Sequence, residues 1–126
     1  MAYNILIVDD SNVIRKVMRK TLGLTPITFG EIFDAEHGLQ ALEILKHHWV
    51  DLVFLDINMP VMDGMQFMEA LRADPATKDT KVVIVSTEGS KERIERLREL
   101  GAKRYLRKPV TPEQIVEVIN ELVEGK

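Results

Sequence analysis

Three short apolar runs recur along this chain with segments of helical period between them, and each ends on polar groups. Ile5-Leu6-Ile7-Val8 runs into Asp9-Asp10, Val53-Phe54-Leu55 into Asp56, and Val82-Val83-Ile84-Val85 into Ser86-Thr87. A fourth run, Arg104-Tyr105-Leu106-Arg107, leads to Lys108-Pro109. Strands separated by helices need crossover connections, which lay them parallel. Runs that are β-branched without alternation belong to strands covered on both faces. In such an open sheet the carboxyl ends of the central strands share one crevice. Three acids (Asp9, Asp10, Asp56), a hydroxyl (Ser86) and a lysine (Lys108) are therefore expected in one pocket. Two carboxylates about 4 Å apart repel by roughly 4 kcal/mol at an effective dielectric near 20, so the cluster invites a divalent cation or a raised pKa.

Periodicity and caps supply the other elements. Strands are expected over residues 4–9, 30–35, 51–56, 81–86 and 104–107. Helices are expected over 12–24, 38–48 and 64–72, from the cap Ser90 to Gly101, and from Pro112 onward. In the first helix Val13 and Val17, and Ile14 and Met18, stand at helical spacing. Asp63-Gly64-Met65-Gln66 and Thr111-Pro112-Glu113-Gln114 have the form of capping boxes, the second with proline at the first helical position. The fourth helix has a thin apolar stripe of Ile94, Leu97 and Leu100 and should be the least firmly anchored. The result is one α/β domain over residues 1–126, a doubly wound parallel sheet of five strand-helix pairs with right-handed crossovers.

The chain has no cysteine, which removes disulfides, thiolate metal sites and a Cys nucleophile. No apolar stretch approaches the roughly 20 residues of a membrane span, and no leader pattern opens the chain, so a cytoplasmic protein without membrane contact is expected. The net charge is −3, but residues 91–108 hold eight Lys or Arg against three Glu, a local +5 that leaves −8 for the remainder. Glu92 with Arg96 and Glu95 with Arg98 are the candidate internal pairs, and such surface pairs contribute little. A positive surplus therefore remains to meet an acidic partner.

The strings Val8-Asp9-Asp10-Ser11, Leu55-Asp56-Ile57-Asn58-Met59-Pro60-Val61-Met62-Asp63-Gly64, Val85-Ser86-Thr87-Glu88 and Lys108-Pro109, in this order over the whole chain, resemble the receiver domain of bacterial response regulators. The resemblance implies the strand order 2-1-3-4-5 and a phosphoacceptor switch, not an enzyme beyond its own phosphoryl transfer and dephosphorylation. By position, Asp56 is then the nucleophile toward a phosphohistidine of a histidine kinase or phosphotransfer protein. Mg²⁺ would be held by Asp10 and Asp56 directly, by the Asn58 backbone carbonyl, and by Asp9 through water. Lys108 would supply a second positive charge, and Ser86 would bond a phosphoryl oxygen. Tyr105 is the implied second switch residue, read out on the fourth helix, fifth strand and fifth helix by a downstream protein. Asn58, Thr87 and Glu88 would tune dephosphorylation, with Thr87 crowding the path to Asp56. Val110 stands where an aromatic often follows Lys-Pro, implying looser packing near the switch. The family places a cis peptide at Lys108-Pro109, and the implied state is a monomer or a weak phosphorylation-dependent dimer.

Blander readings compete for single residues. Asp9-Asp10-Ser11 alone is a helix cap, and Lys108-Pro109 alone is loop punctuation. Met59, Met62, Met65 and Met68 imitate thioether spacing for Cu(I), yet their loop and helix positions suit gap-filling in a core. His37, His47 and His48 lack metal-pair spacing, and Trp49 reads as a packing anchor at a helix end. A dehalogenase-type Mg²⁺-dependent aspartyl-phosphate hydrolase would need D-x-D after its first strand, where this chain has adjacent acids. A flavodoxin would need a hydroxyl- and glycine-rich phosphate loop there. Nucleic-acid binding lacks a helix-turn-helix or aromatic platform, and a phosphorylation-independent binding module is separated by whether Asp56 accepts phosphate.

Overall fold

The computed structural model describes residues 2–87 and 90–123. Its elements are β1 (Tyr3–Val8), α1 (Asn12–Gly23), β2 (Phe29–Ala35), α2 (Gly38–His47), β3 (Leu52–Leu55), α3 (Gly64–Ala73), β4 (Val82–Ser86), α4 (Lys91–Glu99), β5 (Arg104–Arg107) and α5 (Pro112–Val118). All neighbouring strands pair parallel, in the order β2-β1-β3-β4-β5. The architecture and order are those expected, with strand and helix ends shifted by a residue or two. One feature was not anticipated: α5 passes into a π-helical turn over Ile119–Val123.

The pleat divides the core into two layers. Leu6, Val8, Val53, Leu55, Val82 and Ile84 face α2, α3 and α4, where Ala41, Phe67, Met68, Leu71 and Leu97 meet them. The alternate residues Ile5, Ile7, Leu52, Phe54, Val83 and Val85 face α1 and α5, against Met18, Leu22, Ile115 and Val118. Because β1, β3 and β4 are buried on both faces, their sequences carry no alternation. Among the described residues no helix is long and apolar enough to cross a membrane.

Both capping boxes form. Asp63 accepts from the Gln66 N–H and Gln66 accepts from the Asp63 N–H, and Thr111 and Gln114 do the same. Ser90 caps α4 by accepting from Arg93, and Gly101 ends the turn at φ +96, a conformation open to glycine. His37 caps α2, with its Nδ1 accepting from the Gln40 N–H, a role that its sequence context did not suggest.

Several side chains depart from expectation. Ile14 and Met18 turn inward, but Val13 and Val17 are 67% and 47% exposed, because the buried stripe of α1 is Arg15, Met18 and Leu22. Trp49 is no packing anchor: it is 75% exposed, Val50 takes the buried place, and the indole N–H donates to Asp51 at 3.0 Å. The ring thus keeps its polar edge satisfied without entering the core. Val110 is 8% exposed and joins the α1/α5 layer, whereas Tyr105 packs against the other, so the two belong to different core layers. Arg96 pairs with Glu69 and Glu99, not Glu92, since Glu69 of α3 reaches across to α4. Arg98 pairs with Glu95 as expected, and Arg104 with Glu117 and Glu121 of α5 and its continuation. The methionines fill gaps as expected: Met68 is fully buried, and Met59, Met62 and Met65 pack against its cluster.

Candidate functional site

The crevice forms where β1, β3 and β4 end. Asp9 follows β1 directly and is held by its own N–H donating to Ala35 and by the Ser11 N–H donating to its Oδ1 at 2.9 Å. Ser11 in turn caps α1 through the Ile14 N–H. The cap and the acid site are therefore one structure, not alternatives. Asp56 follows β3, with its N–H donating to the Val8 carbonyl at 2.9 Å. Behind it, Gly64 opens α3 so close that a Cβ there would lie 2.6 Å from the Asp56 carbonyl oxygen. Only glycine lets the helix start against that backbone.

Carboxylate oxygens of Asp9, Asp10 and Asp56 lie within 4.8 Å of one another. Asp9 and Asp56 are buried, at 4% and 8% exposure, while Asp10 is exposed. The Lys108 ammonium bonds Asp9 Oδ2 at 2.6 Å and reaches Asp56 Oδ1 at 3.5 Å. Its backbone N–H donates to the Ser86 carbonyl at 3.1 Å, and the Lys108–Pro109 peptide is cis. Burial pushes the Asp56 carboxyl up to about 6; the Asp9 charge adds to this, and Lys108 and the Ile57 N–H pull against it. One cation against three acids leaves net negative charge, and three hard oxygen donors with an open side suit a hydrated divalent ion. These residues fit the Mg²⁺ that the resemblance implies.

The other expected site residues distribute around this centre. Ser86 is 1% exposed at the end of β4, and Asn58 is exposed in the loop after β3. Thr87 is exposed and lines a hollow of about 220 Å³ with Ile14, Met18, Lys108 and Val110. Tyr105 borders a small cavity of about 30 Å³ with Ile84, Ile94 and Leu97, and its hydroxyl is buried with no hydrogen-bond partner among the described residues. Glu88 lies outside the described residues.

Two features near the site went unread in the sequence. Arg15 is 9% exposed and donates to the Asp9 carbonyl at 2.7 Å, to Asp34 at 3.0 Å and to Asn12 at 3.3 Å. Its signal was its place on the stripe of Met18 and Leu22, an arginine where a core residue belongs. Val61, after Pro60, adopts φ +66, with the Met62 N–H donating to the Pro60 carbonyl at 2.7 Å. This is a γ-turn of the strained hand, borne by a β-branched residue.

Comparison with known proteins agrees with this geometry. The response regulator receiver domain matches over residues 5–120. A chemotaxis protein CheY homolog of Campylobacter jejuni is 32% identical over 120 residues, 94% of this chain and 91% of that one. Chemotaxis protein CheY1 of Helicobacter pylori is 33% identical over 122 residues, 96% of each. Among solved structures, chemotaxis protein CheY4 of Vibrio cholerae superposes with a TM-score of 0.84 at 31% identity, covering 97% of this chain and 99% of that one. The parallel order 2-1-3-4-5, the acids gathered at its carboxyl edge and these matches together place the chain in the response regulator receiver domain family.

Proposed function

We propose that this chain is a phosphoacceptor switch of a two-component system, working in the cytoplasm, in which Asp56 takes a phosphoryl group from the phosphohistidine of a histidine kinase or phosphotransfer protein. The observation that carries the reading is the convergence of Asp9, Asp10 and Asp56 with Lys108 shared between two of them. A carboxylate oxygen of Asp56 forms the new P–O bond while the P–N bond of the donor breaks, its electron pair leaving with the imidazole. Such transfer asks a protein chiefly for positioning and for charge opposite the phosphoryl oxygens. Mg²⁺, when bound by Asp10, Asp56 and the Asn58 carbonyl with Asp9 behind, supplies part of that charge. Lys108 supplies the rest, leaving its pairing with the buried acids. Ser86 bonds the attached group, and its strand end is already tied to Lys108 through the backbone.

Readout follows from Tyr105. A buried hydroxyl without a partner among the described residues and a cavity beside the ring favour a side chain with two placements. Movement of the loop after Ser86 biases that choice and alters the surface of α4, β5 and α5. There Lys91, Arg93, Lys103 and Arg107 have no ion pair among the described residues, which suits an acidic docking surface on the target. Intact-mass measurement after incubation with a small acyl phosphate and Mg²⁺ tests the reading. One phosphoryl adduct is expected, absent without Mg²⁺ and absent in Asp56→Asn. No adduct on the wild-type chain, or an adduct that persists in Asp56→Asn, overturns it.

A further inference from the structure

We propose that Arg15 is a positioning residue for the metal end of the site, holding the peptide that joins Asp9 to Asp10. This rests on the reading of the acid cluster as a Mg²⁺ site. Every nitrogen of its guanidinium is engaged, and each bond has a different consequence. Nη1 donates to the Asp9 carbonyl at 2.7 Å in a buried contact. Nε donates to Asp34 Oδ2 at 3.0 Å, which fixes the plane of the group from β2. Nη2 donates to Asn12 Oδ1 at 3.3 Å, in the first turn of α1. The Asp9 carbonyl belongs to the peptide whose N–H is that of Asp10, so its orientation sets where the exposed Asp10 carboxylate starts from. Arg15 thus ties β2, α1 and the end of β1 to a single peptide plane. A guanidinium suits this because its planar fork directs several donors at fixed angles, whereas an ammonium is a point charge.

The sign of the effect on metal affinity separates this role from a purely electrostatic one. A fixed cation behind two acids repels an incoming divalent ion, so by charge alone its removal strengthens Mg²⁺ binding. Loss of an orienting contact behind a metal ligand weakens it, commonly by tenfold or more. The experiment is calorimetric titration of Mg²⁺ into the full chain, at a pH where the acids are ionised, for wild type, Arg15→Gln and Arg15→Lys. Urea midpoints of the metal-free proteins are measured in parallel. Positioning predicts that Arg15→Gln weakens Mg²⁺ about tenfold. It predicts a smaller loss in Arg15→Lys, which keeps the charge but not the fork. Unchanged or tighter Mg²⁺ binding in these variants, even with lowered urea midpoints, overturns the proposal and leaves Arg15 a structural cation. Should Arg15→Gln not fold, Arg15→Lys decides the matter alone. If the wild-type chain itself binds no Mg²⁺, the reading of the site fails and this inference falls with it; wild-type binding with unaltered variants refutes the inference alone.

Discussion

Replacing Asp56 with asparagine should stabilise the metal-free protein at neutral pH. The carboxyl is raised from 3.8 to about 6, chiefly by burial and then by Asp9. A raised acid binds its proton more tightly folded than unfolded, so stability falls as pH rises between about 4 and 6 and stays reduced above. At 1.36 kcal/mol for each tenfold in proton affinity, a rise from 3.8 to about 6 corresponds to roughly 3 kcal/mol. Because the crevice opens to water beside Asp10, about 2–3 kcal/mol is expected, or roughly 10 °C in Tm for a domain of this size. The substituted amide carries no charge at any pH, and Lys108 would keep its 2.6 Å bond to Asp9. Urea denaturation in a chelator at pH 4 and pH 7.5 measures the effect: the variant should exceed wild type at pH 7.5 and approach it at pH 4. Equal stability at pH 7.5, or a gain that persists undiminished at pH 4, refutes the assignment of a buried, repelled carboxylate at this position.

Lys108→Ala should slow formation of the Asp56 adduct about a hundredfold or more, since it removes a charge aimed at the transferring oxygens; a near-normal rate in single-turnover mass measurements contradicts its role. Val61→Gly should stabilise the chain by about 1 kcal/mol, the relief of a strained φ partly offset by glycine's freedom when unfolded; a lower urea midpoint would show that the turn is not strained. Thr87→Ala should leave the phosphoryl lifetime unchanged or shortened, read by decay of the adduct mass, and a marked lengthening would refute steric shielding by Thr87. Association with the downstream target should speed at low ionic strength and slow in Arg93→Glu, and a salt-independent on-rate would leave the open cations of α4 and β5 without a recognition role.

The sheet was legible because β1, β3 and β4 are covered on both faces and show it as unbroken apolar runs, and because capping boxes announce α3 and α5. The acids and Lys108 were legible from where they stand at strand ends, even though Asp9 and Lys108 are 99 positions apart. What escaped depended on contacts that no local pattern records. Spacing alone offers two adjacent stripes on α1, and only the presence of α5 decides that Met18 and not Val17 is covered. Large aromatics usually bury, which made Trp49 read as an anchor, but Asp51 two residues on holds its N–H at the rim. Arg15 gave no sign of its bonds because the carbonyl that receives it comes from a turn whose shape is invisible in sequence.

Among the described residues, the buried contacts of α4 gather toward its C-terminal end. Leu97 is its one fully buried side chain, and just beyond it Arg72 grips the carbonyls of Leu100 and Gly101 while also holding those of Lys78 and Thr80. A rod held near its tail would swing when pushed, rather than slide. Its first turn stands about 13 Å from that hold, given nine residues at 1.5 Å each, so displacement is greatest near Ser90 and smallest at Gly101. Ser90 stands four positions after Ser86, the last residue of β4. A partner on this surface would therefore sense the heading of the helix, with Lys91 and Arg93 travelling farthest and Lys103 scarcely moving.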